Sequence, residues 1–292
     1  MNIIRYLQDD DVPKLAVLTA DDHIYELPQT SFQELILQSK AVNKLPRDWI
    51  QTWIHQSSPL NQSLTELHLI VPIEAPEVWA AGVTYERSRE ARNYEATGGK
   101  LDASTFYDKV YSAVRPEIFM KSTAARTVGP NDVMYLRSDS SWQIPEPELG
   151  LVIMQDGSIV GYTIGNDLSC RDIEGENPLY LPQAKVWKRS CSIGPTIRLV
   201  ETVMNPYDLQ IACRIYRNGV LTVEGSANTS QLKRKLDELV SFLIRDNEVY
   251  DGMILLTGTC IVPPNEFSLQ DGDIVEMEIA GIGLLRNTMK QL

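Results

Sequence analysis

Histidine is scarce in this sequence, which has three, and all of them precede residue 70. They are His23, His55 and His68, and none lies beside a serine or cysteine in an arrangement that indicates a catalytic triad. The four cysteines are widely spaced and form no metal-binding motif. A disulfide framework is not expected in a chain of 292 residues, so the cysteine content predicts a reducing, cytoplasmic environment. The cysteines are Cys170, Cys191, Cys213 and Cys260.

The sequence also has few positively charged residues and no long apolar run. The 27 lysines and arginines are outnumbered by 39 aspartates and glutamates, which gives a net charge of −12. This balance argues against a general binder of nucleic acid or anionic membranes. No apolar run approaches the roughly 20 residues needed to span a bilayer, and the first residues lack the pattern of a signal peptide. We therefore expect no nucleic-acid partner and no membrane partner.

What the sequence does contain is a distinctive stretch from residue 145 to 172, with two apolar runs at 149–154 and 159–164. Between the runs stands Asp156-Gly157. An Asp-Gly pair flanked by apolar runs is a strong hairpin signal, because a type I′ turn needs two positive φ angles. The stretch therefore predicts a β-hairpin with a two-residue turn.

Three carboxylates fall on one face of this predicted hairpin. Counting outward from the turn pairs Glu148 with Gly165 and Glu146 with Asp167. Alternation of side chains then places all three acids on the same face. Paired Cβ atoms lie roughly 4.5–5.5 Å apart, so like charges at these positions destabilise each other. The alternative is an ordinary solvated acidic face, and a single bulge would break this register.

The same face is predicted to carry Gly150, Gly161 and Gly165, which would leave a hollow above it. A divalent cation among the three acids explains both the charge and the space. Without histidine or cysteine nearby, all protein ligands would be hard oxygens, which favours Mg²⁺, Mn²⁺ or Ca²⁺ over zinc. Three protein ligands would leave positions on Mg²⁺ open for water or substrate.

The remaining pattern divides the chain into a small N-terminal α/β module, residues 1–70, and a large domain, residues 71–292. Many short strands with few helices predict an α+β fold, mostly β, arranged as a mixed β-sandwich roll rather than a Rossmann fold or TIM barrel. Residues 230–246 carry the clearest helical pattern. Residues 95–110 have little periodicity and predict a mobile loop that orders on ligand binding, or else a plain surface insertion.

The large domain resembles the fumarylacetoacetate hydrolase superfamily over most of residues 76–290. The most specific part is Glu-Pro-Glu followed by Gly-Tyr-Thr and Asn-Asp. The segments that carry the resemblance are WAAGVTY (79–85), RPEIFMK (115–121), PEPELGLVI (145–153), GYTIGNDLSCRD (161–172), SIGP (192–195) and GDIVEMEIAGIGL (272–284). The resemblance implies that Glu146, Glu148 and Asp167 bind a divalent metal, usually Mg²⁺, and that the protein is a homodimer or homotetramer.

The resemblance also implies roles for residues outside the hairpin. Lys185, in LPQAK, and Glu117, in RPEIFMK, are the candidates for proton transfer. The alternative for Lys185 is that it binds the substrate carboxylate as a cation and does not transfer a proton. Ser88 and Thr229 are candidate substrate contacts, and the alternative for Thr229 is a helix-capping role.

Two differences from the sequence pattern of the C–C-cleaving hydrolases bear on which reaction this chain catalyses. Those enzymes commonly carry Asn-Tyr-x-x-His after the first strand, and this chain has Ser88 at the histidine position. Activation of a water molecule needs a base with a pKa near the working pH, and imidazole is the usual choice. A second departure is Lys188, where the hydrolases often keep an aspartate. These substitutions argue against hydrolysis.

Residues 82–92, 171–185 and 190–195 instead look like the 2-keto-3-deoxypentonate dehydratases of the superfamily. The implied activity is a Mg²⁺-dependent hydro-lyase of pentose catabolism. It converts a 2-keto-3-deoxy-pentonate of the D-arabinonate or D-xylonate series to 2,5-dioxopentanoate through a metal-stabilised enolate. The implied partner is therefore a small 2-keto acid. The alternatives are a C–C hydrolase or decarboxylase of fumarylacetoacetate or acylpyruvate type, and a non-enzymic protein that binds sugar acids or metal.

Overall fold

The computed structural model describes residues 1–8, 12–97 and 106–292. The helices of these residues are α1 Phe32–Ala41, α2 Pro46–Ile54, α3 Glu86–Thr97, α4 Phe106–Ser112, α5 Arg171–Glu176, α6 Leu181–Lys185 and α7 Leu236–Leu243. The strands are β1 Asn2–Leu7, β2 Pro13–Leu18, β3 Ile24–Glu26, β4 His68–Leu69, β5 Glu77–Gly82, β6 Glu117–Thr123, β7 Thr127–Val128, β8 Val133–Leu136, β9 Gln143–Ile144, β10 Pro147–Ile153, β11 Ile159–Asp167, β12 Ser169–Cys170, β13 Cys191–Leu199, β14 Gln210–Arg217, β15 Val220–Asn228, β16 Met253–Thr259, β17 Ile274–Ile279 and β18 Gly283–Gln291.

Two sheets form most of the molecule, which confirms the predicted α+β, mostly β fold. The larger sheet has the strand order β3-β2-β1-β13-β11-β10-β16-β5-β6, with β4 beside β1 and β7 beside β13. The smaller sheet has the order β15-β14-β17-β18-β8. One hydrophobic core joins the sheets, with Leu151 and Ile164 from the larger sheet and Ile211 and Met277 from the smaller. Burial between the sheets thus fixes the face of each strand.

The first 70 residues share both sheet and core with the rest of the chain. Strand β1 pairs antiparallel with β13, where Asn2 lies opposite Arg198. A second hydrophobic core brings Phe32 of α1 together with Val78 of β5 and Ile254 of β16. The sheet and this core therefore run continuously across the predicted module boundary at residue 70.

Helices α3 and α4 occupy both ends of the segment predicted as a loop. Residues 95–97 end α3 and residues 106–110 begin α4, whereas residues 98–105 lie outside the described part of the chain. The structure also differs from the helix predicted at residues 230–246, because α7 covers only Leu236–Leu243. The N–H of Lys233 donates to Thr84 O instead of joining a helix. No helix of the described residues is long and apolar enough to cross a membrane.

The turn of the β10–β11 hairpin differs from the prediction. The N–H of Gly157 donates to Met154 O at 2.8 Å, and the N–H of Met154 donates to Ser158 O at 3.0 Å. The loop therefore has three residues, and the two-residue prediction is wrong. Gly157 has φ +78°, while Asp156 is not among the residues with positive φ. A type I turn followed by a left-handed residue is the usual form of a three-residue hairpin loop.

A β-bulge restores the predicted pairing of the carboxylates. Val152 pairs with Gly161 and Ile153 pairs with Ile159, so Val160 is an extra residue in β11. The bulge shifts the register by one residue and so cancels the effect of the longer turn. Beyond it, Glu148 lies opposite Gly165 as predicted.

The glycines of the hairpin do not line a hollow, so that prediction is wrong. A Cβ on Gly165 would lie 2.3 Å from Leu256 Cδ2, and one on Gly150 would lie 3.3 Å from the same atom. A Cβ on Gly161 would lie 2.4 Å from Ile197 Cγ2. Side chains from the neighbouring strands β16 and β13 thus occupy the space that the missing Cβ atoms leave.

We expect Gly161→Ala to lower the free energy of unfolding by about 1–3 kcal/mol, because the added methyl overpacks a filled core. The nearest atom belongs to the stiff, β-branched side chain of Ile197, and Arg198 O lies 3.2 Å from the new Cβ. Urea denaturation measures the change. As a control, Ile197→Ala should destabilise the Gly161→Ala protein less than the unchanged protein. Equal effects in both backgrounds would contradict this packing account.

Candidate active site

The three carboxylates of the hairpin converge at its open end. One ligand oxygen from each of Glu146, Glu148 and Asp167 lies within 4.8 Å of the other two, and all three residues are buried. The N–H of Asp167 donates to Glu146 O at 3.1 Å, so the two strands align these residues directly. The N–H of Gly258 donates to Glu148 Oε2 at 2.7 Å. The geometric part of the prediction is therefore confirmed.

Lys185, at the end of α6, places its ammonium group against two of these acids. Its Nζ lies 2.5 Å from Glu146 Oε2 and 3.1 Å from Asp167 Oδ2, and it also donates to Ser169 Oγ at 2.6 Å. Helix α6, which follows β12 and α5 in the chain, thus brings the predicted catalytic lysine to the predicted metal ligands. The remaining candidate ligand, Glu148, lies beyond hydrogen-bonding distance of the lysine.

A second lysine, Lys121 of β6, is completely buried beside the first. Its Nζ donates to Leu168 O at 2.7 Å and to the backbone oxygen of Lys185. The same Nζ lies 2.8 Å from Asp167 Oδ1, although that oxygen has no hydrogen-bond partner. The angle of approach therefore leaves Asp167 Oδ1 as a buried, ion-paired oxygen with free lone pairs.

Arg171, the first residue of α5, connects the acids to helix α3. Its Nη2 lies 2.7 Å from Glu146 Oε1, and its Nη1 pairs with Glu95 of α3. Its Nε lies 3.7 Å from Glu174 Oε2. The side chain is 1% exposed, so its charge is satisfied by carboxylates rather than by water.

Arg92 of α3 makes a parallel connection further out. Its Nη1 lies 2.8 Å from Glu174 Oε1, and its Nη2 lies 3.8 Å from Glu117 Oε1. Glu174 Oε1 in turn lies 3.3 Å from Lys185 Nζ. Arg92, Glu117 and Glu174 also line a pocket of about 480 Å³ whose other walls come from α4, residues 113–116 and residues 178–181. Glu117 is thus the predicted catalytic residue that borders open space.

These contacts define one charge network with more acids than bases. Among residues 1–8, 12–97 and 106–292, its six carboxylates exceed its four cations by two charges when every group is ionised. The acids are Glu95, Glu117, Glu146, Glu148, Asp167 and Glu174, and the bases are Arg92, Lys121, Arg171 and Lys185. Buried charge without a partner is strongly disfavoured. One divalent cation at the three hairpin acids would supply the balancing charge, and their oxygen atoms suit Mg²⁺.

The pKa values of the acids reflect this imbalance. Burial acts to raise the pKa of Glu146, but Lys185 and Arg171 outweigh it and lower that pKa to about 2. Burial raises the pKa of Glu148 well above its usual range, and repulsion from Asp167 and Glu146 adds to the shift. Without a cation, Glu148 is therefore the acid that relieves the excess charge by taking up a proton.

The two predicted proton-transfer residues are held in different states. Burial acts to lower the pKa of Lys185, but Asp167 and Glu146 raise it above the usual lysine range. Burial raises the pKa of Glu117, with Arg92 acting against the shift. In this network Lys185 is therefore a fixed cation. A bound cation would neutralise the neighbouring acids and so remove part of the effect that raises the lysine pKa.

The two predicted substrate contacts lie in different settings. Ser88 is buried on α3, four residues before Arg92 and so on the same face of the helix. Thr229 is also buried, and its hydroxyl donates to Pro206 O at 2.8 Å and accepts from Leu209 N at 2.9 Å. The hydroxyl of Thr229 is thus engaged in holding a loop. Asn228, rather than Thr229, caps the short helical turn that follows.

Four charged residues of the network were not identified from the sequence. They are Glu95, Lys121, Arg171 and Glu174. Lys121 and Arg171 lie inside the segments RPEIFMK and GYTIGNDLSCRD that carry the family resemblance, so those segments held a signal for both. Nothing in the spacing indicated that α3 and α5 would meet over the hairpin.

The chain belongs to the fumarylacetoacetate hydrolase family. Residues 88–290 match the family described as "Fumarylacetoacetate (FAA) hydrolase C-terminal". A 2-dehydro-3-deoxy-D-arabinonate dehydratase of Saccharolobus solfataricus is 46% identical over 237 residues, which cover 81% of this chain and 79% of the relative. A protein of Haloferax volcanii named probable 2-keto-3-deoxyxylonate dehydratase is 48% identical over 230 residues, covering 79% of this chain and 78% of the relative.

A solved structure shares the whole fold. It is a 2-keto-3-deoxy-D-arabinonate dehydratase complexed with magnesium and 2,5-dioxopentanoate, and it is 35% identical to this chain. The TM-score is 0.86, and the match covers 100% of this chain and 99% of the other. The likeness confirms the predicted family and its fold.

We expect Lys121→Met to lower the free energy of unfolding by about 3–5 kcal/mol, because it removes the cation beside the buried Asp167 Oδ1 and a donor to two backbone oxygens. Lys188→Met is a matched control, since Lys188 is exposed. That control should change stability by no more than about 0.5 kcal/mol. Urea denaturation of both proteins makes the comparison. Similar small losses in both would show that Lys121 does not carry the role that its contacts suggest.

Proposed function

We propose that this protein is a Mg²⁺-dependent hydro-lyase that converts a 2-keto-3-deoxy-pentonate, of the D-arabinonate or D-xylonate series, to 2,5-dioxopentanoate. The observation that carries the proposal is the buried trio Glu146, Glu148 and Asp167 with Lys185 against it. The names of two relatives with 46% and 48% identity, and the product in the complex of the matching structure, support the substrate class.

Glu146, Glu148 and Asp167 would hold the metal. When bound, Mg²⁺ supplies Lewis-acid polarisation of the α-keto acid and makes its C3 protons more acidic. Gly258 N–H and Arg171 keep Glu148 and Glu146 oriented toward that position. Outer partners of this kind commonly fix the orientation of metal ligands.

Glu117 is the better placed of the two proton-transfer candidates. Its Oε2 is buried without a hydrogen-bond partner among the described residues, and the residue lines the open pocket. Burial raises the pKa of Glu117, which makes its carboxylate a stronger base than that of an ordinary glutamate. In the proposed reaction a C3 proton leaves and the C4 hydroxyl departs as water after protonation, which leaves a C3–C4 double bond. A C5 proton is then lost and C3 is protonated, and the resulting C4–C5 enol tautomerises to the C5 aldehyde.

Lys185 fits the role of a fixed cation that binds the negatively charged end of the substrate. Its ammonium is held by Glu146, Asp167 and Ser169, and the pKa of the lysine is raised by the first two acids. A role as the proton-abstracting base requires the acids beside it to be neutralised first. Of the two roles expected for Lys185, the contacts favour a cation over a base, and binding of a substrate carboxylate would require the ammonium to exchange one of its three hydrogen bonds.

A hydrolase is the weaker candidate. All three histidines are exposed, and none is among the described residues that line the pocket beside Glu117. The inner face of α3 presents Ser88 where the C–C-cleaving relatives commonly carry histidine. Elimination of water needs no activated water, so the absence of a nearby imidazole is no obstacle to it.

The proposal also covers the substrate contacts, the metabolic role, the oligomeric state and the location of the protein. Ser88, on the inner face of α3, is a candidate substrate contact, whereas Thr229 would have to exchange existing hydrogen bonds to serve as one. A place in pentose catabolism follows from the substrate class. A homo-oligomer and a cytoplasmic location remain predictions, and four unpaired, buried cysteines support a reducing compartment.

Glu146→Gln and Asp167→Asn should each abolish Mg²⁺ binding and activity while the protein stays folded, because each removes an anionic ligand. Isothermal titration with MgCl₂ measures binding, and circular dichroism checks the fold. Asp156→Asn is the matched control, since Asp156 lies on the exposed tip of the same hairpin and pairs with Lys40. Undiminished Mg²⁺ affinity in the two ligand variants would contradict the assigned trio.

The protein should dehydrate 2-keto-3-deoxy-D-arabinonate or 2-keto-3-deoxy-D-xylonate and should fail to cleave acylpyruvates at a useful rate. Both substrates offer an α-keto acid, so binding alone cannot separate them. Lack of a general base typically lowers a rate about 10²–10⁴-fold, which sets the expected preference in kcat/KM. Mass spectrometry should show loss of one water from the pentonate. Efficient acylpyruvate cleavage with no dehydration of either sugar acid would overturn the assignment.

A further inference from the structure

Helix α3 is attached to the protein through a charged inner face. Ser88, Arg92 and Glu95 are spaced i, i+4 and i+7, so they lie on one side of the helix. The side chains of Arg92 and Glu95 are each only 4% exposed. Of the apolar residues, Ala91 is buried but Tyr94 is 40% exposed. The docking of α3 therefore depends on ion pairs more than on apolar packing.

The ion pairs of α3 lead to a candidate metal ligand. Glu95 pairs with Nη1 of Arg171, and Nη2 of the same guanidinium lies 2.7 Å from Glu146 Oε1. Helices α3 and α5 approach closely at this point, since a Cβ on Gly175 would lie 3.2 Å from Glu95 O. One buried guanidinium thus bridges helix α3 and the carboxylate trio.

We propose that Glu95 and Arg171 are positioning residues for Glu146, and that cation binding at the trio is thereby coupled to the docking of α3. This inference rests on the proposed metal site. A guanidinium is planar and presents its donors in a fixed fork, so a partner on one side constrains the orientation of a partner on the other. Because α3 also carries Ser88, binding of the cation would set the position of that serine.

The contacts fix the sign of the coupling. Replacing Glu95 by glutamine removes one of the two excess negative charges of the network, which weakens the attraction for a cation. It also weakens the contact that holds one side of Arg171, so the guanidinium no longer fixes the orientation of Glu146 for the cation. Both effects weaken cation binding, although Glu95 is not itself a candidate ligand.

The test compares two substitutions on the same helix, Glu95→Gln and Glu90→Gln. The side chain of Glu90 is 51% exposed and pairs with Arg87 at 3.3 Å, so it matches Glu95 in helix and in chemistry but not in burial. Titration calorimetry with MgCl₂ should show a Kd about 10–100-fold higher for Glu95→Gln, the usual effect of losing an outer partner. The Kd of Glu90→Gln should change by no more than about twofold, because exposed ion pairs contribute little.

A second measurement needs no variant and stays informative if Glu95→Gln does not fold. Hydrogen exchange on the unchanged protein should show slower exchange in α3 when MgCl₂ is added, with α7 as the internal reference.

An unchanged Kd for Mg²⁺ in folded Glu95→Gln would overturn the coupling and leave the metal site in place. Hydrogen exchange in α3 that stays the same when MgCl₂ is added would have the same consequence. Absence of Mg²⁺ binding to the unchanged protein would instead overturn the metal site and the coupling together.

Discussion

The constraint on which the site depends is the burial of more negative than positive charge. In the part of the chain that the structure describes, six acids and four bases share a largely buried region. Removing charges from water is costly unless each finds a partner. The hairpin supplies three acids by strand pairing, and β6, α3, α5 and α6 bring the four cations to them. The arrangement of these elements around the hairpin end therefore follows the need to pair charge, and the remaining excess is what a divalent cation would balance.

Strand alternation made the trio predictable, because it is a local property of the chain. The predicted pairing of Glu148 with Gly165 was correct even though the predicted turn was wrong. A three-residue loop and a bulge at Val160 each shift the register by one residue, and the shifts cancel. The hairpin at Asn218-Gly219 shows the other outcome, since both residues have positive φ and the strands pair directly beside the turn. Similar dipeptides thus form different turns, and the burial of alternate residues fixes the register.

The charges around the trio could not be predicted, because they depend on contacts between distant elements. Arg171 lies 25 residues from Glu146 and 76 from Glu95 in the sequence, yet it pairs with both. Tertiary contacts also overrode local pattern elsewhere, as where Lys233 donates to Thr84 O and shortens the predicted helix. The glycines of the hairpin were assigned to a hollow because their neighbours were unknown. Leu256 and Ile197, from adjacent strands, fill that space.

The choice between elimination and hydrolysis depends on α3 rather than on the hairpin. The same fold and the same metal site can support several reactions, so the reaction depends on the groups that reach the reacting atoms. The hairpin acids would hold an α-keto acid in the same way for either reaction. What differs is the helix above them, whose inner face offers Ser88, Arg92 and Glu95 and no imidazole. A hydroxyl and two charges that pair with residues of other elements are poor at activating water but compatible with an elimination. Because the ion pairs of this helix lead to Glu146, the element that determines the reaction is attached to the element that would hold the metal.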